Sequence, residues 1–208
     1  MDGATLRKRV VADKRDALAR LADSELLLAL ADGNPSPRRV LEAAADSEHA
    51  AHRTFAQWAE DEPNDHARDL FEAVAAREAE HRERVLAAMD GEYEPRDGGA
   101  LHRYLRGREG AVVRTAAGTL GRGLVADHAH AQVISYFEER GDSARASLFR
   151  LLREETEAGT ERGLDLLETL CADETDRADA HGVAGYTVQI AVDDYADALE
   201  RGRGDAGR

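Results

Sequence analysis

The chain reads as an all-α protein: four long central helices forming one bundle, with additional helices at the N- and C-terminal ends. Three observations predict this. Apolar residues recur at three- and four-residue spacing along most of the chain, and strand-like alternation is hard to find. Proline totals only 4 of 208 residues. Clusters of turn-forming residues are few and cut the chain into long pieces.

The elements follow in order. A first helical stretch covers about residues 4–32 and ends at the stop signal Asp32-Gly33-Asn34-Pro35. Ser36-Pro37 then supplies an N-cap and a proline at the first helical position. That opens a helix over about 37–61, broken by Glu62-Pro63-Asn64-Asp65. A second central helix runs over about 65–90, followed by the longest loop and a short helix over Leu101–Leu105 across an end of the bundle. The third central helix, about 110–139, carries Gly118, Gly121 and Gly123, which weaken its first half. Gly141-Asp142-Ser143 is a turn, the fourth central helix covers about 144–171, and a last helix about 175–201. The tail, 202–208, is small and polar and is expected to be disordered. Without a repeat or a linker, residues 1–201 form a single domain with its bundle core at about 37–171.

Hydrophobic residues make up 42% of the chain, enough for a core. No run approaches a membrane span, and Met1–Arg7 has no apolar core of a secretory signal. The single cysteine, Cys171, excludes an intramolecular disulfide, a thiolate zinc cluster and a CxxC or rubredoxin-type module. A cytoplasmic protein is the expectation. Asp and Glu total 42 against 28 Lys and Arg, a net charge of −14, which argues against a nucleic-acid partner. Only Lys8 and Lys14 are lysines. Such self-repulsion calls for screening salt, which points to a salt-rich cytosol of the haloarchaeal kind. The arginine usage is equally what a GC-rich genome produces.

On each central helix the apolar stripe passes over an acid. In the second it runs through Leu70, Val74, Val85 and Ala88, and crosses Glu78 and His81. These two are three apart and so share a face. In the first it runs through Leu41, Ala44, Ala51, Phe55 and Trp58 and crosses Glu48, with His52 one turn on. In the third, Val113, Ala117, Leu120, Leu124, Ala131 and Ile134 frame Asp127, with His130 three residues later and His128 as the alternative ring. In the fourth, Leu148, Leu152, Gly159 and Gly163 frame Glu155, with Glu154 and Glu157 as rivals. Burying one unpaired carboxylate costs several kcal/mol, and converging carboxylates repel one another. Bridging cations remove both problems, and oxygen ligands with imidazole suit iron or manganese better than zinc.

This pattern resembles the ferritin-like di-iron carboxylate superfamily, in its rubrerythrin-like branch. The resemblance rests on Ala45-Asp46-Ser47-Glu48-His49-Ala50-Ala51 and on Glu78-x-x-His81. That family places a lone Glu, a Glu-x-x-His, a lone Glu and a second Glu-x-x-His on successive helices. Glu48, Glu78 and His81 match. Asp127 is a shorter acid, Glu155 has Ala158 where a histidine belongs, and His130 stands three after Asp127 instead. The resemblance implies two irons per chain, or manganese, held by Glu48, Glu78, His81, Asp127, His130 and Glu155, with His52, His128 and Glu154 as less secure members. It implies redox chemistry on peroxide, dioxygen or ferrous iron, an unspecified electron donor since no rubredoxin module is present, and a homodimer. No membrane partner is expected. The competing expectation is a bundle that has lost its metals and serves as a structural or partner-binding module.

His49, His66, His102 and His181 read as surface or loop residues, and haemerythrin-type spacing is absent: four residues after His49, His52, His81 and His128 stand Arg53, Ala56, Val85 and Gln132. No phosphate-binding loop or nucleophile elbow is present. The charge balance is directly testable. The melting temperature is expected to rise steadily from low to molar KCl, and a melt indifferent to salt would refute salt adaptation.

Overall fold

A computed structural model describes residues 2–23, 25–31 and 35–205. The described residues contain helices and no strand. In order they are α1 (Gly3–Asp13), α2 (Arg15–Leu21), α3 (Glu25–Leu30), α4 (Pro37–Asp61), α5 (Asp65–Ala87), α6 (Ala100–Arg106), α7 (Ala111–Thr115), a π-helical segment (Ala116–Gly121), α8 (Arg122–Glu139), α9 (Ser143–Leu170) and α10 (Glu174–Asp205).

The sequence signals act locally as read. Ser36 caps α4 by accepting from the Arg39 amide, with Pro37 inside the first turn. Asn64 caps α5 and Asp142 caps α9 in the same way. The first stretch departs from expectation. It is three helices: Lys14 leaves helical geometry (φ −106°, ψ 19°) between α1 and α2, which lets Leu6, Val10, Leu18 and Leu21 all reach one core cluster, and a turn at Ala22 ends α2. The stop signal at Asp32–Asn34 lies outside the described residues. At the other end α10 continues past the expected 201 to Asp205, so the start of the supposed tail is helical; residues 206–208 lie outside the described residues.

Helices α4 and α5 form one hairpin, α8 and α9 another. The N-terminal ends of α4 and α9 share a cluster with the C-terminal ends of α5 and α8: Val40, Leu41 and Val85 pack with Val133, Phe137, Phe149 and Leu152. Hence α5 and α8 run parallel, and the connection through α6 travels the length of the bundle. A second cluster fills the opposite end, with Phe55, Trp58, Phe71 and Leu105. Between the two apolar clusters lie Glu48, Glu78 and His81, all buried.

The π segment sits where the glycines are. Gly118 lets the helix approach Trp58 and Phe55, whose rings a Cβ would meet at 2.6 and 2.8 Å. At Gly121 a Cβ would meet Thr187 and Ala184 of α10 at 2.7 and 2.8 Å. A π turn holds one more residue than an α turn, so the inward face beyond it moves by about 100°. Beyond it the buried face of α8 carries His130, Val133, Ile134 and Phe137, whereas Asp127 and Ala131 of the expected seam are only partly buried. None of the described helices is long and apolar enough to cross a membrane.

Alanine in place of glycine ordinarily stabilises a helix interior by about 0.5–1 kcal/mol. Gly118→Ala is expected to do the reverse and cost about 1–3 kcal/mol through overpacking against Trp58, read as a lower midpoint in urea denaturation.

Candidate metal centre

Glu48 on α4 and Glu78 and His81 on α5 each offer a ligand atom, and these atoms lie within 4.8 Å of one another. His81 is oriented from behind. Its Nε2 is 2.7 Å from Glu155 Oε2 on α9. An ionised carboxylate only accepts, so Nε2 carries the hydrogen. The other ring nitrogen, Nδ1, then faces Glu48 Oε2 at 3.8 Å and Glu78 Oε2 at 4.0 Å, too far for hydrogen bonds. Both His81 Nδ1 and Glu48 Oε2 are buried without a hydrogen-bond partner. Two such atoms turned toward one point are what a cation would join.

Arg122, the first residue after the π segment, enters from the opposite side. It is 6% exposed. Its Nη2 donates to Glu78 Oε2 at 2.8 Å and stands 3.9 Å from Glu48 Oε2. The sequence reading missed this residue. A signal was present: Arg114 and Arg122 are the only charged side chains in the apolar run from Ala111 to Val125. Arg114 is buried too, and pairs with Asp61 and Glu62.

Of the other expected ligands, His130 comes closest. Its Nε2 is 3.4 Å from Glu48 Oε1, on the carboxylate's other oxygen. Glu155 reaches the cluster only through His81 and also accepts from Arg84 at 2.9 Å. Asp127 does not join. It lies on the half-buried α8–α9 border, where Arg153 binds both its oxygens at 2.6 and 3.0 Å. Three less secure members also lie outside. His52 Nδ1 hydrogen-bonds the Ala75 carbonyl at 2.9 Å, His128 Nδ1 hydrogen-bonds the Leu124 carbonyl at 2.8 Å, and Glu154 is exposed. His102, read as a surface residue, is buried. The crossover packs α6 on α4, and the His102 Nδ1 lies 3.2 Å from Thr54 Oγ1. That hydroxyl donates to the Ala50 carbonyl, so the ring nitrogen is the donor. Burial, with Arg122 and Arg106 nearby, pushes His102 down to about 3, so it stays neutral.

The electrostatics describe a centre one positive charge short. Two carboxylates face one fixed guanidinium. Burial pushes the Glu78 carboxyl up to about 8; Arg122 opposes this and the Glu48 charge adds to it. Burial also opposes ionisation of Glu48, but the nearby Glu78, His130 and His81 outweigh it and hold that carboxyl well below its usual range. Burial works against a charged His81, yet the surrounding carboxylates raise it. A proton on Glu78 thus does the work a metal ion would do. A narrow crevice of about 10 Å³ among Thr156, Gly159, Thr160 and Arg77 leads to Glu78 and Arg122.

Set against protein-family models, curated proteins and solved structures, the chain has no match. The site is read from its own residues.

The retained proton has a measurable consequence in chelator-treated protein. The folded state holds it to about pH 8, whereas the unfolded chain releases it near 4.5. Wherever the folded state binds more protons, stability falls as pH rises. His81, raised from 6.5, acts in the same direction. Neutral His102 acts oppositely, but only below about 6.5. Denaturation midpoints are therefore expected to fall between about pH 7 and 8, and Glu78→Gln to flatten that fall.

Proposed function

We propose that this chain is a metal-binding helical bundle of the ferritin-like kind, in which Glu48, Glu78 and His81 hold one iron or manganese ion. The observation that carries the reading is the pair of buried, unpartnered atoms, His81 Nδ1 and Glu48 Oε2, turned toward Glu78. Ligands about 2.1 Å from one ion stand roughly 3–4 Å apart, so a spread within 4.8 Å needs only a small inward shift. Two carboxylates and an imidazole favour iron or manganese.

The family pattern supplies two irons, but the acids that would complete a second position are engaged elsewhere: Asp127 with Arg153, and Glu155 with Arg84 and His81. This supports a single ion. Bound iron or manganese supplies one-electron exchange with a small oxidant such as peroxide or dioxygen. The chain's residues do the rest. Glu155 fixes the His81 tautomer so that Nδ1 presents its lone pair, and such outer partners matter nearly as much as ligands. Arg122 balances Glu78, and Phe55 and Val74 line the narrow crevice on that side.

A second reading is favoured by the Arg122–Glu78 ion pair. With that cation and a proton on Glu78, the centre is neutral enough to stand without metal, and the bundle is then a structural or partner-binding module.

Titration of chelator-treated protein with Mn²⁺ or anaerobic Fe²⁺ separates the two. The metal reading expects about one ion per chain by calorimetry and elemental analysis, a higher melting temperature on binding, no binding by His81→Ala, and about 10–100-fold weaker binding by Glu155→Gln. Identical melts with and without metal would leave the structural module.

A further inference from the structure

We infer that Arg122 limits this centre to one metal ion, its guanidinium standing where a second cation between Glu78 and Glu48 would stand. The inference rests on the metal reading above and concerns how many ions the cluster accepts.

The geometry is specific. The guanidinium is buried, donates to Glu78 at 2.8 Å, lies 3.9 Å from Glu48, and has the Phe55 ring 5.9 Å from its Cζ. It cannot be discharged by any accessible pH. It is also held in place by backbone, because Arg122 follows directly on the π segment that Gly118 and Gly121 lock against Trp58 and α10. A mobile surface arginine could swing away from an arriving ion. This one stays, and its charge repels a second divalent ion over a few ångströms of low-dielectric interior.

The donors for a second ion are otherwise present. Glu48 is within reach of both imidazoles, His81 through Oε2 and His130 through Oε1. His130 Nδ1 is buried and unpartnered, and Glu78 is released when the arginine is removed. What the cluster lacks is not ligands but room for positive charge.

The test compares wild type, Arg122→Met and Arg122→Lys after chelator treatment. Bound Mn²⁺ is counted by calorimetry, with spin coupling between neighbouring ions read by electron paramagnetic resonance. Folding is followed by circular dichroism with and without Mn²⁺. The expected result is about one ion for wild type and Arg122→Lys, and about two, spin-coupled, for Arg122→Met, with the first bound at least about tenfold more tightly. Zero ions in wild type and one in Arg122→Met would sink the single-ion reading while upholding Arg122 as the excluding charge. Equal number and affinity in wild type and Arg122→Met overturns the inference, whether that number is one or none. An Arg122→Met protein that stays unfolded at saturating Mn²⁺ overturns it as well, since the guanidinium would then be irreplaceable by a metal cation.

Discussion

The structure depends on how two buried carboxylates, Glu48 and Glu78, are neutralised. Both are buried and lie between two apolar clusters, where an unpaired charge would cost several kcal/mol. The chain meets this with one fixed cation, Arg122, and one exchangeable charge, the proton that Glu78 keeps to about pH 8. Each remaining acid of the seam has its own arginine: Arg153 for Asp127 and Arg84 for Glu155. In a chain of −14 net charge, arginines are thus paired with the acids of the seam, fully buried at Glu78 and half-buried at Asp127 and Glu155. On the proposed reading an ion replaces the proton, and the cluster gains ligand bonds without changing its fixed charges.

Much of the fold was legible because its signals are local. Caps and prolines act through neighbouring amides, so Ser36-Pro37 marks a true helix start, and the breaks read at Glu62–Asp65 and Gly141–Ser143 hold the caps Asn64 and Asp142. Glu48, Glu78 and His81 were legible for a related reason. They lie on regular helices, α4 and α5, where a 3.6-residue repeat carries an apolar stripe faithfully from one end to the other. The third helix is not regular. Its π segment breaks the repeat between the residues that defined the stripe and the residue the stripe was used to place, so Asp127 was set inward although it faces Arg153. The glycines announced weakness there but not the direction of the rotation. Arg122 was hidden by a different habit of reading, in which arginine is assigned to the surface unless an acid partner is known. Glu78 is 44 residues away in sequence. His102 was misplaced because nothing local shows that a loop-borne helix will be pressed onto α4.

The outer helices connect fold to site. α10 packs on the π segment through Ala184 and Thr187 at Gly121, and α1, α2 and α3 close the same cluster from the other side. A π turn in isolation is a poor hydrogen-bonding arrangement and persists where surroundings hold it. Here Trp58 and Phe55 press from within the bundle and α10 from outside. Stability far from the cluster therefore has a route to it: whatever keeps α10 seated keeps the backbone of Ala116–Gly121 in the geometry that aims Arg122 at Glu78.

That places the decision about the centre's chemistry in the backbone as much as in the ligands. The same side chains on an uninterrupted α-helix would present a different set inward beyond the π segment. A motif restricted to acids and histidines does not carry that difference in phase, because every residue of the motif is still present. The quantity that changes is the phase of the helix facing Glu78, and that phase is set at six residues, Ala116–Gly121, two of them glycines and none of them an acid or a histidine.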